Sequence, residues 1–272
     1  MNQAFDFHKK AQASLWTAEE MDLTEDRLQW TNWLTPAERF ILTQVLNLVQ
    51  RFSAEVRIPE FRMFYNFQVM MENVHWEVYS LLITMLILDE DEQYHLFHAI
   101  LSVPCVQAKV DWVLCWITSD ASFASCVIAF ATVEGIFFSG AFASIFWLKK
   151  KGMMPGLTFL NELISWDEGL HTDFACYMYS CLHHKLLDIT LTNIMNTLVN
   201  GVLGLSVPSM VQYIKFVTDR LLVALNVSKI YNMDNPFEFV KMISLEGKMN
   251  FFECWVSDYA KYAKVFIMGE GP

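Results

Sequence analysis

Glycine and proline are scarce in this chain, at 10 and 7 of 272 residues. A turn-rich β-sandwich or a low-complexity chain needs far more of both, so neither is expected. Positive charge is short too: 19 Lys and Arg stand against 30 Asp and Glu, a net charge of −11. No global positive field exists to draw in nucleic acid or an anionic lipid surface, and neither is expected as a partner. The six cysteines, Cys105, Cys115, Cys126, Cys176, Cys181 and Cys254, form no Cys-x-x-Cys pair. A chain of this size can build a core without disulfide staples, so they read as reduced core thiols of a cytoplasmic protein. Residues 1–10 are polar and carry no apolar secretory stretch. What the chain holds in abundance is apolar surface, with 54% hydrophobic and 15% aromatic residues against 18% charged. That balance excludes intrinsic disorder. No linker or internal repeat interrupts the sequence, so residues 1–272 read as one domain, with 1–15 expected as a flexible arm and 260–272 as a flexible tail.

One stretch raises the question of a membrane. Residues 127–148 (VIAFATVEGIFFSGAFASIFWL) carry a single charge and are followed by Lys149, Lys150 and Lys151. The run is long enough to span a bilayer and has a positive flank. Glu134 stands against that reading, because an unpaired carboxylate is costly in hydrocarbon. A central helix buried on all sides in a helical core has the same composition.

Helix signals dominate elsewhere. Thr17-Ala18-Glu19-Glu20 and Thr35-Pro36-Ala37-Glu38 both read as capped helix starts, the second with proline at the first helical position. The periodicity predicts helices over 37–56, 60–88, 92–101, 106–118, 121–150, 156–182, 188–200, 208–226 and 236–262. Pro59, the acidic 89–91, Pro104, 152–155, Gly201, Pro208 and Asn235-Pro236 punctuate them. No segment of strand period competes, so the fold class is all-α.

The chemistry is carried by Glu-x-x-His, which occurs three times, at Glu72–His75, Glu92–His95 and Glu168–His171. With 17 Glu and 7 His in the chain, chance gives about 0.4 such pairs. On a helix these positions share a face, so each pair can offer a carboxylate and an imidazole to one metal. Glu92–His95 follows the acidic run 89–91 and reads as a solvated first turn favoured by the helix dipole. The other two pairs sit in apolar stretches, where a buried Glu and His need partners that a metal supplies. Glu134, the lone charge of 127–148, is the natural third contributor, and a metal role accounts for the charge that spoils the membrane reading. Two such pairs plus carboxylates from other helices are the ligand set of ferritin-like di-iron and di-manganese bundles. Carboxylates with imidazoles suit iron or manganese. Tyr79 lies two turns after Glu72 on the same face, and Phe138, Phe142 and Ile164 are spaced by four or eight residues from Glu134 or Glu168. A tyrosine beside an oxidising metal pair, walled by such side chains, could hold a radical away from water.

Here the residues become specific to a family. AQASLWTAEEMDL (11–23), FQVMMENVHWEVYSLLI (67–83), FATVEGIFFSGAFASIFWLKKKGMMPGLTFLNELISWDEGLHTDFAC (130–176), QYIKFVTDRLL (212–222) and NPFEFVKMISLEGKMNFFE (235–253) resemble the small, radical-generating subunit of class I ribonucleotide reductase, in its eukaryotic and poxvirus-like branch. The resemblance implies a ferritin-like helix bundle. It makes Glu72, His75, Glu134, Glu168 and His171 ligands of a di-iron centre and Tyr79 the radical tyrosine. Trp16 and Asp167 would lie on the long-range electron route, Asp167 as hydrogen-bond partner of His75, and Tyr259 would pass the radical to the large subunit. Phe138, Phe142 and Ile164 would line the radical pocket. It also implies a homodimer, a large-subunit partner that reduces ribonucleoside diphosphates, and a cytoplasmic location.

The departures from the family pattern are equally specific. The chain runs from Gln50 straight into Arg51, where the family carries roughly three more helical turns and a sixth ligand, an Asp. A second block is missing near Asn200-Gly201. Trp76 and Trp166 replace a small residue and an Arg beside His75 and Asp167, and two extra indoles buried near the centre would overpack it. The last residues, KVFIMGEGP, lack the acidic, Phe-ending tail by which the family docks on its large subunit, so weak docking is expected. Two alternatives stand beside the reductase reading. One is a non-catalytic paralogue acting by association, and the other is a di-iron oxidase or ferroxidase. Trp16, Asp167 and Tyr259 argue against the latter, which needs no radical route out of the bundle.

Overall fold

The computed structural model describes residues 2–18, 56–91, 93, 104–118, 121–188, 190–191, 193–195, 208–237 and 239–240. Its principal helices are α1 (Asn2–Ala13), α2 (Pro59–Leu86), α3 (Pro104–Thr118), α4 (Phe123–Thr132), a π-helical turn (Val133–Phe137), α5 (Ser139–Lys150), α6 (Pro155–Ser180) and α7 (Pro208–Ala224). No strand occurs among the described residues.

Local chemistry explains most of the boundaries. Four helices, α2, α3, α6 and α7, begin on a proline, whose fixed φ suits the first helical position and whose missing N–H costs nothing there. Ser122 caps α4: its backbone is extended (ψ 152°) and its hydroxyl accepts from the Ser125 N–H at 3.2 Å. The end of α5 is closed by Gly152 at φ 69°, with Gly152 N–H donating to Lys149 O at 2.9 Å and Met153 N–H to Leu148 O at 3.1 Å. That pair of bonds is a Schellman motif, which needs a left-handed residue where Gly152 stands. Met154 is then also left-handed (φ 54°), directly before Pro155. Burial of its side chain and the 2.9 Å bond from Thr158 N–H to its carbonyl hold it there.

The described helices share one hydrophobic core. α6 packs on α1, α2, α4, α5 and the π turn, and α7 closes over the π turn and α5. Aromatic rings fill the space between α2 and α6: Phe64 stacks on Phe174 with centroids 3.8 Å apart, and Tyr65 meets Phe174 edge-on at 5.3 Å. Burying each such side chain is worth roughly 1.5–3 kcal/mol. Phe123–Lys150 is long and apolar enough to cross a membrane, yet 83% of its most apolar window is buried inside the protein. It is the central helix of the core.

Two expectations need correction. Residues 2–13, expected within a flexible arm, form α1, which lies on α2 and α6. Its buried stripe is Ala4, His8 and Ala11, spaced four and three apart; so little hydrophobicity leaves no periodic signal in the sequence. The segment expected as one helix over 121–150 is interrupted by the π turn at Glu134. An apolar run has no period from which a five-residue turn could be told from an α-turn. Most of the expected helices 37–56, 92–101 and 236–262, part of 188–200 and the tail 260–272 lie outside the described residues.

Candidate metal centre

α2, the π turn and α6 bring five side chains together. Glu72 and His75 sit one turn apart on α2, Glu168 and His171 one turn apart on α6, and Glu134 projects from the π turn. All five are buried. His171 Nδ1 lies 3.2 Å from Glu72 Oε1, 3.4 Å from Glu168 Oε2 and 3.8 Å from Glu134 Oε2. His75 Nδ1 lies 3.4 Å from Glu72 Oε2 and 3.3 Å from Glu168 Oε1. Glu72 and Glu168 thus each turn one oxygen toward each imidazole, while Glu134 serves the His171 side.

Six atoms here are buried and have no hydrogen-bond partner: both oxygens of Glu72, Oε2 of Glu134 and of Glu168, and Nδ1 of both histidines. Orphaned buried polar atoms are rare and costly in a folded protein. One donor atom each from Glu72, Glu134, Glu168 and His171 falls within 4.8 Å of the others, so these residues could hold a metal ion. The donor set, hard oxygens with imidazole nitrogen, fits iron or manganese.

Without an ion the charges are balanced by protons. Burial, then the Glu168 and Glu72 carboxylates, push the Glu134 carboxyl well above its usual range. Burial alone would lower the two imidazoles, but their carboxylate neighbours outweigh it and raise both well above 6.5. Burial likewise opposes a charged Glu168, yet Glu134, His171 and His75 together hold it well below the usual range.

The remaining ring nitrogen of His75 faces outward from the cluster. Its Nε2 lies 3.0 Å from Asp167 Oδ2, and Trp16 Nε1–H donates to the same oxygen at 2.9 Å. The Trp16 and His75 rings stack at 5.7 Å. Asp167 therefore fixes the ring so that Nδ1 points at the carboxylates. Tyr79, one turn beyond His75 on α2, is half-buried against the core. Phe138, Phe142 and Ile164 are buried in that core. Tyr259 lies outside the described residues.

Three details were not anticipated. Gln68, one turn before Glu72 and fully buried, donates from Nε2 to Glu134 Oε1 at 3.2 Å. Its only sequence signal was an amide four residues from Glu72 in an apolar stretch. Tyr65 is buried and donates its hydroxyl to Met178 Sδ at 3.2 Å. The expected crowding by two buried indoles does not arise: Trp76 is 49% exposed, because the residue after His75 is turned about 100° round the helix. Trp166 is half-buried.

The comparisons with known proteins agree with this geometry. The family "Ribonucleotide reductase, small chain" matches residues 1–236. The ribonucleoside-diphosphate reductase small chain of Neurospora crassa is 51% identical over 285 residues, spanning 96% of this chain and 70% of its own. The human ribonucleoside-diphosphate reductase subunit M2 is 50% identical over 279 residues, 93% of this chain and 72% of its own. The 285 aligned positions take up only 96% of 272 residues, so about two dozen of them face a gap in this chain, as missing internal segments would leave. Among solved structures, the Rnr4 homodimer of the Saccharomyces cerevisiae ribonucleotide reductase superposes with a TM-score of 0.77 at 33% identity, covering 93% of this chain and 87% of that one. The R2 subunit from Clostridium botulinum, at TM-score 0.75 and 19% identity over 89% of this chain and 88% of its own, shares the ferritin-like fold. From its matched length, its identity to these relatives and its fold, the chain belongs to the ribonucleotide reductase small-chain family.

Proposed function

We propose that this chain acts as the small subunit of a ribonucleoside-diphosphate reductase, holding iron between α2, the π turn and α6. The observation that carries the reading is the set of six buried donor atoms on Glu72, His75, Glu134, Glu168 and His171, which converge on one another without a hydrogen bond. Iron bound there, with dioxygen as the electron acceptor, would supply the oxidising power to take one electron and a proton from a phenol, and Tyr79 is the phenol assigned to lose them. Asp167 holds His75 in orientation, and Trp16, bonded to the same carboxylate, begins a route away from the cluster. Tyr259 is assigned the far end of that route. Phe138, Phe142 and Ile164, buried in the core, are assigned to the wall of the radical pocket. The likeness to a homodimeric structure supports a second copy of this chain as partner. The family supports a large subunit as the site of nucleotide reduction, and a cytoplasmic location belongs to the same proposal.

The two metal positions are unequal. The His171 side has four donor residues, Glu72, Glu134, Glu168 and His171. Among the described residues the His75 side has three, His75 with the other oxygens of Glu72 and Glu168. An ion with three protein donors is held less tightly, and the family's extra Asp has no counterpart in the sequence between Gln50 and Arg51. Iron content after aerobic loading, with the paramagnetic resonance signal recorded in parallel, tests the reading. We expect about one iron per chain and a weak or absent tyrosyl signal. Two irons with a sharp signal that Tyr79→Phe removes would establish an active centre and overturn the inequality. No iron at all would overturn the metal site.

A further inference from the structure

We propose that Gln68 is a positioning residue of this centre: its side-chain amide grips one oxygen of Glu134 so that the other is presented to the metal on the His171 side. The inference rests on the reading that the cluster binds metal, and it concerns a residue outside the donor set.

Gln68 is completely buried on α2, one turn before Glu72 and so on the same face. Its Nε2 donates to Glu134 Oε1 at 3.2 Å. With a metal held, the Glu134 carboxylate is charged and can only accept, which matches the orientation of the amide: nitrogen toward Glu134, oxygen away. Glu134 Oε2, the atom that faces His171 Nδ1, has no hydrogen bond of its own. The two oxygens of Glu134 therefore have separate partners, one an amide on the neighbouring helix, the other the metal position.

The backbone gives such a grip a use. Glu134 sits in a π turn, which departs from the α-helical ladder on either side, so regular helix spacing does not aim its side chain. Glu72 and Glu168 are aimed by regular α-helix on both sides of them. Gln68 supplies for Glu134 what regular helix supplies for the other two.

The carbonyl of Gln68 gives the second observation. Oε1 is buried and has no hydrogen-bond partner. A leucine of similar size would fill the space without orphaning an acceptor. An amide retained there at the cost of an orphaned oxygen is accounted for by its nitrogen, which grips Glu134.

Cobalt(II) is a suitable probe, because its visible bands report the donors around it without any turnover. Full-length apo-protein and Gln68→Met, matched in length but lacking a donor, would be titrated with Co(II). We expect the tighter site to weaken by about ten- to hundredfold, as loss of a ligand's hydrogen-bond partner usually costs, with shifted bands. In a Glu134→Ala background the same substitution should change the affinity less than about twofold, because its effect passes through Glu134. Equal loss in both backgrounds would show a merely structural role and overturn the proposal, as would unchanged affinity and bands in Gln68→Met. Failure of the parent chain to bind Co(II) would instead remove the metal reading and this proposal with it. Gln68→Asn, one methylene too short to reach, gives the same test if the methionine variant does not fold.

Discussion

Asp167 Oδ2 receives two neighbours at once, the indole N–H of Trp16 and Nε2 of His75, at 2.9 and 3.0 Å. Replacing it with alanine orphans both inside the core. Each unsatisfied buried group costs about 1–3 kcal/mol, and the freed imidazole loses its aim, so metal affinity should also drop about ten- to hundredfold. Denaturant midpoints and Co(II) titration of Asp167→Ala measure the two effects separately. An unchanged affinity would show that Asp167 does not orient His75. At this scale the sequence revealed much of the centre. Glu72, His75, Glu168 and His171 stand out through i,i+3 spacing, and Glu134 through being the lone charge of an apolar run. Trp16 and Asp167 are 151 residues apart, beyond the reach of any periodicity, and only the family resemblance pointed to them. Gln68 is not legible in the sequence, because a neutral amide does not stand out from apolar neighbours as a carboxylate does.

Among the elements, the π turn carries the most consequence. It brings Gly135 so close to α6 that a Cβ there would stand 3.1 Å from the Thr172 methyl. Gly135→Ala should therefore push the turn away from α6, cost about 1–3 kcal/mol by overpacking and disturb Glu134 next to it. Thr172→Ser removes the offending methyl, and the other neighbours of that Cβ, at 3.5 and 3.7 Å, are ordinary contacts. The double variant should recover most of the loss. Thermal melts and metal content of the two single variants and the double variant test this, and additive losses would refute the steric account. Helix starts were legible because prolines mark four of them, and the amphipathic period placed α2, α6 and α7 within about two residues. The π turn was not legible, since an all-apolar segment has no face to follow. α1 was hidden because alanine and one histidine form its buried stripe.

For the molecule as a whole, the centre couples protons and metal to folding. His75 and His171 are raised in the fold, as is Glu134. A group raised in this way contributes stability that is fully present below its unfolded pKa and is lost as pH climbs through its folded value. Loss from the imidazoles begins above 6.5 and from Glu134 above 4.5. Glu168, lowered in the fold, contributes steadily above 4.5 and does not offset them. Metal-free protein should accordingly melt at falling temperature as pH rises above 4.5, and more steeply above 6.5. Metal displaces those protons, so affinity rises over the same interval and the loaded protein should hold its melting temperature. Parallel pH profiles with and without metal would refute the coupling. The same molecule carries a hazard during its synthesis. Until the other helices have wrapped it, the 127–148 segment is presented to the cell as a candidate bilayer anchor with one charge, Glu134, to contradict that address. The carboxylate that would serve the metal in the finished protein thus also serves as a sorting signal in the unfinished one. Glu134→Ala should consequently send more newly made chain into microsomes during cell-free translation, a defect in delivery distinct from any defect in chemistry.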